Sequence, residues 1–330
     1  MKAAFYTKQG KAEDVFQVEE IEDILPAQGE VQIKIHYSGV NPGEVKKRAD
    51  TFGVGMPYDK IIPHSDGAGY IENVGEGVEE SWIGKKVLCY GAQSYRQFGT
   101  AAEYCSVPVS NVVELTEHVD LKQAAQMGIP GITAHRAVNV GAGVVRNNRD
   151  GQVVLVQGGS GAVGQCAIAM AKKSGAVTLA TVTKSGNVEI AKNAGADGVY
   201  LVNDSLKENV LNDYPNGVDH IIEVAFAANI ESDVAILKQG GSIATYATNQ
   251  NPASIPFWPL VFSNISIFFL GSDDFKNDEK QAAAHDLAEA LSEGWTGLPI
   301  GEIYPLENIA QAHQHIEDRK KGRALVKVIG

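Results

Sequence analysis

What this chain lacks narrows its function before any motif is read. Its 330 residues hold three cysteines, Cys89, Cys105 and Cys166. They are too few and too scattered for a disulfide framework or a structural zinc lobe. Basic charge is also short: 28 Lys and Arg stand against 40 Asp and Glu, a net charge of −12. Phosphate backbones reward clustered cations, and no basic stripe interleaved with aromatics is present, so nucleic acid is not an expected partner. Long apolar runs are missing too. Met1-Lys2-Ala3-Ala4-Phe5 opens no leader of charged and then apolar residues, and the apolar run Ile265–Leu270 is far too short to span a bilayer. The expectation is a cytoplasmic protein with no membrane segment, free of internal repeats and low-complexity linkers.

What remains is an ordinary globular composition, 44% hydrophobic and 21% charged, in a chain long enough for two domains. Residues 1 to about 120 read as short strands between glycine turns. Val31, Ile33, Ile35 and Tyr37 alternate with polar residues, and further strands follow in the glycine-bounded stretch 67–77, at 86–90 and at 101–107. From Leu121 the rhythm changes. Strands at 153–157, 177–182, 199–202, 219–224, 242–247 and 266–270 alternate with helical stretches at 165–174, 188–194 and 229–237. This spacing predicts an α/β fold with a doubly wound parallel sheet. The tail reads as a helix (279–293), a strand (300–304), a helix (306–316) and a last strand (324–329).

The centre of the sequence is the stretch after Val153-Val154-Leu155-Val156, where Gly159, Gly161 and Gly164 spell G-x-G-x-x-G between a buried strand and a small-residue helix. Such glycines allow a tight turn, close approach of backbone N–H groups to a pyrophosphate, and packing of helix on strand. The helix N-terminus adds its partial positive charge. One rival uses the same residues: Gly158-Gly159-Ser160-Gly161-Ala162 resembles a nucleophile elbow. An elbow serine needs an acid and then a histidine downstream, and the first downstream histidine, His220, falls inside a predicted buried strand.

Several motifs in order carry a resemblance over nearly the whole chain: Gly39-Val40-Asn41-Pro42, the run from Pro63 to Gly75 (PHSDGAGYIENVG), and the run from Gly128 to Ala137 (GIPGITAHRA). The glycine turn 158–164, Gln239-Gly240-Gly241-Ser242 and the run from Tyr304 to His313 complete the series. The chain resembles the zinc-free medium-chain dehydrogenase/reductases, in particular the zeta-crystallin type of NADPH:quinone oxidoreductase. That resemblance implies a discontinuous GroES-like domain (1–122 and 280–330) around a Rossmann domain (123–279), and a homodimer formed through the last Rossmann strand. It also implies no metal. Where zinc members carry a Cys and a His-Glu pair, this chain has Asn41 and Ser65-Asp66. His64 precedes that pair where the family usually has glycine, and reads as a loop histidine. His313 and His315, two residues apart on a helix, point in different directions.

The second Rossmann strand ends in Thr183-Lys184 with no acid to take a ribose 2′-hydroxyl, which predicts NADPH over NADH. By resemblance, the backbone of Gly158, Gly159, Ser160, Gly161, Ala162, Val163 and Gly164 holds the pyrophosphate. Asn229, Tyr246, Ala247, Thr248, Asn249, Leu270, Gly271 and Ser272 line the ribose and nicotinamide side, with Asn41 and Thr133 near the nicotinamide. The substrate pocket is then Asn41, Lys46, Arg48, Phe52 and Thr133; Lys46 and Phe52 replace two family tyrosines. The expected chemistry is hydride transfer to a small quinone or α,β-unsaturated carbonyl. The alternatives are an enoyl thioester, met by Lys46 and Lys47, or a non-catalytic NADPH-binding crystallin-like or RNA-binding role.

Overall fold

A computed structural model describes residues 1–141 and 144–329. The chain forms two compact units, Met1–Ile132 with Lys276–Gly330, and Thr133–Phe275.

The spine of the first unit is the ten-residue strand Glu30–Gly39. It pairs antiparallel with Asp66–Val74, Tyr104–Pro108 and Arg323–Lys327. Val31, Ile33 and Ile35 are fully buried, as the alternation predicts, while Tyr37 is half-buried. The tail strand Arg323–Lys327 sits in register with the spine (Leu325 with Gly39, Val326 with Ser38) and carries Ile300–Pro305 beside it. Chain ends far apart in sequence thus complete one sheet, the discontinuous GroES-like unit that the resemblance implies. A short antiparallel pair, Lys2–Phe5 with Gln17–Glu20, was not anticipated. Nor was the helix Pro42–Arg48, which begins with a capping box: Asn41 caps it, and Glu44 reaches back to the Asn41 backbone. A proline at the first helical position needs no N–H partner.

The second unit is a six-stranded parallel sheet. Its order is Gly198–Leu201, Val177–Val182, Val153–Val156, Val218–Glu223, Leu237–Thr245 and Ser266–Phe269, or 3-2-1-4-5-6 in chain order. Val154, Leu155, Val156, Ile221, Ile222 and Ile243 have no exposed surface, which is why these strands read as continuous apolar runs. The fifth strand starts at Leu237 and ends at Thr245, earlier at both ends than the sequence suggests. Helices Leu206–Asp213 and Phe257–Phe262 were also not foreseen. His220 lies in the sheet as expected. Its Nε2–H donates to the Ala137 carbonyl at 2.8 Å, and Nδ1 accepts from the Ser242 hydroxyl at 2.7 Å. Burial holds this neutral imidazole down at about 3.

All six strands run the same way, so their carboxyl ends lie on one edge of the sheet. The order reverses between the strands Val153–Val156 and Val218–Glu223, the crevice where open α/β sheets take ligands. Among the described residues, no helix is long and apolar enough to cross a membrane.

Candidate active site

The glycine turn occupies that switch point. The Gly159 N–H donates to the Thr181 carbonyl at 2.8 Å and the Gly158 N–H to the Thr181 hydroxyl at 3.2 Å, pinning the turn to the neighbouring strand. Gly164 is packed so tightly that an added Cβ would stand 2.4 Å from the Gly158 carbonyl oxygen. Gly161, the N-cap of the twelve-residue helix Ala162–Lys173, is exposed and makes no side-chain cap. The first N–H groups of a helix have no partner within it, so this end presents open donors and a positive dipole end to an anion. The residues present therefore fit a pyrophosphate. Ser160 is half-buried beside them, and its carbonyl accepts from the Gln165 amide at 3.0 Å.

The other residues expected around a dinucleotide gather on the same sheet edge. Thr183 and Lys184 follow the second strand and are exposed. Tyr246–Asn249 follow the fifth strand and Leu270–Ser272 the sixth. A pocket of about 490 Å³ is lined by Tyr246, Ala247, Thr248, Leu270 and Gly271, with Phe226 and Phe269 as aromatic walls. Asn229, Asn249 and Ser272 are not part of that lining. Asn229 instead donates to both oxygens of Glu223, at 3.1 Å each.

In the first unit the expected substrate residues separate. Lys46 and Phe52 are exposed, with the Lys46 ammonium 6.0 Å from the Phe52 ring centre. Arg48 is a correction. It has no exposed surface; its guanidinium donates to the Gly10 carbonyl and pairs with Glu317, so it ties helices together inside the unit. The basic run 46–48 looks like a solvated loop in sequence, but helical spacing turns its third residue inward. Thr133, at the start of the second unit, is 5% exposed.

Asn41 is buried and its amide is committed to its own unit. Nδ2 donates to Asp66 Oδ2 at 2.8 Å and to Glu44 Oε1 at 3.1 Å, while Oδ1 accepts from Arg323 at 2.8 Å. Asp66 Oδ1 accepts from the Ile129 N–H at 2.8 Å, at the start of the helix Gly128–Asn139. Burial first, and then the neighbouring Glu44, push the Asp66 carboxyl up to about 7, against the pull of Asn41 and Arg323. Burial likewise raises Glu44. Sequence reasoning did not single out Glu44 or Arg323, and read Asp66 only as a missing zinc ligand. The Asn-Pro-x-Glu capping pattern was the available signal for Glu44.

His64 lies in a loop, as expected, but is fully buried and in the left-handed region, at φ 76°, a conformation that favours glycine. Its Nδ1 meets the Ser38 hydroxyl at 2.7 Å and its Nε2 meets His313 Nε2 at 3.0 Å. His315 turns the other way, to Tyr304 and the Gly322 carbonyl. Among the described residues, no group of three or more His, Cys, Asp or Glu is placed to hold a metal ion.

Comparison with known proteins agrees with this architecture. Residues 27–117 match the alcohol dehydrogenase GroES-like domain family, and residues 162–288 match the zinc-binding dehydrogenase family. The chain is 32% identical over 301 residues to the quinone oxidoreductase of Mus musculus, covering 88% of this chain and 86% of the mouse protein. Solved structures share the fold. A mycobacterial quinone oxidoreductase superposes with a TM-score of 0.86 at 24% identity, over 99% of this chain and 100% of its own. The Escherichia coli quinone oxidoreductase complexed with NADPH gives 0.85 at 20% identity, over the same shares. The chain belongs to the medium-chain dehydrogenase/reductase family, in its zeta-crystallin-like quinone oxidoreductase branch.

Proposed function

We propose that this protein is an NADPH-dependent oxidoreductase that reduces a small quinone or α,β-unsaturated carbonyl without a metal. The observation that carries this is the open helix N-terminus at Gly161, set behind a glycine turn at the switch point of a 3-2-1-4-5-6 parallel sheet. Relatives named quinone oxidoreductases, one of them complexed with NADPH, support the same reading. NADPH, when bound, supplies the hydride. The backbone at Ser160–Val163 would hold its pyrophosphate, Thr183 and Lys184 its 2′-phosphate, and the pocket walls at Tyr246–Thr248 and Leu270–Gly271 its nicotinamide half. The positions of the family's zinc ligands hold Asn41, Ser65 and Asp66, which offer neither thiolate nor imidazole, so activation of the acceptor falls to positioning and hydrogen bonding. Exposed Lys46 and Phe52 supply a cation and an aromatic face for choosing the acceptor.

The test is oxidation of NADPH and NADH against quinones, enals, enones and enoyl thioesters, in the wild type and in Lys184→Ala. Turnover with a quinone or enone is expected, with NADPH preferred and that preference reduced about tenfold in the variant. Turnover confined to enoyl thioesters would move the assignment to that substrate class. A panel without turnover, with NADPH still bound, would favour a non-catalytic role.

We also propose a homodimer through the Rossmann edge. The strand Ser266–Phe269 ends the sheet, and Phe257, Trp258, Phe262 and Phe269 beside it are 59 to 73% exposed. Monomeric proteins rarely leave such a cluster to water. Sedimentation should find a dimer in the wild type and monomers in Phe262→Glu; a monomeric wild type would refute the assembly.

A further inference from the structure

Beneath the glycine turn runs a chain of buried polar groups that links it to Asn229. The Thr181 hydroxyl accepts from the Gly158 N–H and donates to Gln157 Oε1 at 2.6 Å. Gln157 Nε2 then donates to Asp233 Oδ1 at 2.6 Å. Thr181, Glu223 and Asp233 have no exposed surface, and Gln157 has 1%. Glu223 closes the far side. Its oxygens accept from the Ala225 N–H and, at 3.1 Å each, from Asn229 Nδ2. Asn229 and Asp233 lie four residues apart on the helix Phe226–Ile236, hence on one face, with Glu223 against both. One atom stands out: Asp233 Oδ2 is buried without a hydrogen-bond partner.

Two carboxylates in contact away from water, with no cation among these hydrogen-bond partners, are strongly disfavoured. The contacts show where one proton would sit. The Ala225 N–H and the Asn229 amide both bring donors to the Glu223 oxygens. Asp233 Oδ1 also receives a donor, whereas Oδ2 receives none, although the Glu223 carboxyl lies within hydrogen-bonding reach of this side chain. We infer that Asp233 is a neutral carboxylic acid whose Oδ2–H is turned to Glu223, and that this acid pair is the positioning device joining the glycine turn to Asn229. The inference rests on the dinucleotide reading of that turn. Asp233 touches neither cofactor nor substrate; it acts through Gln157 and Thr181 on Gly158, and through Glu223 on Asn229. Tyr246, beyond the fifth strand, faces Glu223, and Cys166, from the helix Ala162–Lys173, faces Tyr246 in turn. Burial and the Glu223 charge raise the Asp233 pKa well above the ordinary carboxyl range.

An amide reproduces a neutral acid but cannot reproduce a carboxylate that only accepts. Asp233→Asn keeps both connections, with its carbonyl taking the Gln157 bond and its amide donating to Glu223. Glu223→Gln aims an N–H at the Ala225 or Asn229 donors. The test measures NADPH affinity by fluorescence, and thermal unfolding of the cofactor-free protein from pH 5 to 9, for wild type, Asp233→Asn, Asp233→Ala and Glu223→Gln. Asp233→Asn should bind NADPH within about threefold of wild type, whereas Asp233→Ala and Glu223→Gln should lose about tenfold or more.

The pH arm has a definite sign. A raised folded-state pKa means that the folded protein must hold a proton the unfolded chain releases above about pH 4. Wild-type stability is therefore drained as pH rises through that window, and Asp233→Asn is spared. The unfolding temperature of Asp233→Asn relative to wild type should climb with pH. Asp233→Asn as damaging as Asp233→Ala, or a pH-independent difference, would overturn the neutral acid. Unchanged affinity in Asp233→Ala and Glu223→Gln would overturn the positioning role. Should the wild type bind neither NADPH nor NADH, the dinucleotide reading fails and takes the positioning role with it, while the unfolding series still decides the protonation state.

Discussion

Gly161→Val should fold like the wild type and lose dinucleotide binding by about 100-fold or more. The residue is exposed at φ −77° and ψ 166°, extended backbone that valine adopts freely. The nearest protein atom to an added Cβ is the Gly158 carbonyl oxygen, at 3.4 Å. A surface change of this kind costs roughly 0.5 kcal/mol or less, so thermal unfolding should barely move. The new side chain would nonetheless stand in front of the open N–H groups of the helix Ala162–Lys173, where a pyrophosphate must approach the backbone. Gly164→Ala is the contrasting control. Its Cβ meets the Gly158 carbonyl oxygen at 2.4 Å, so the turn must open and the protein itself is destabilised. Normal NADPH affinity in Gly161→Val, measured by titration, would show that this turn is not a phosphate site.

Arg323→Met should destabilise the protein by about 3–5 kcal/mol, the range for removing one partner from a buried ion cluster. Arg323 is 6% exposed and supplies the positive charge of a group holding Glu44, Asp66 and Asn41, all 4% exposed or less. Its charge helps hold the Asp66 carboxyl down. Without it, two carboxyl groups remain buried around an amide. The sign of the pH dependence follows: the arginine matters most where Asp66 is ionised, above its value of about 7, and less as pH falls below it. Urea unfolding should show a larger deficit at pH 8 than at pH 5.5. A deficit below about 1 kcal/mol, or one independent of pH, would mean the cluster does not work as an ion group.

Both variants probe features that were unequally visible in the sequence. The glycine turn is a local device. Its strand, spacing and helix are contiguous, and each residue's part follows from its neighbours in the chain. The role of Gly161 is therefore legible in the sequence alone. The Arg323 cluster joins residues 282 positions apart through one hydrogen bond to Asn41. No periodicity or spacing carries that information, because the tail strand must first dock beside Glu30–Gly39. Arg48 shows the same gap from the other side: in sequence it is the end of a charge run, and only the turn of a seven-residue helix against Glu317 sends it inward.

Local patterns thus determined the alternation of strands and helices, the parallel sheet and the glycine turn, since apolar run length and glycine spacing act on the backbone nearby. Charge balance and the scarcity of cysteine narrowed the class of partner. Tertiary packing decided the state of the polar groups. It spent the Asn41 amide on Asp66, Glu44 and Arg323, closed His64 against His313, and brought Asp233 to Glu223. The physical reason is that burial removes the water that would otherwise satisfy each group. Its charge and partner are then set by whichever distant side chain the fold delivers.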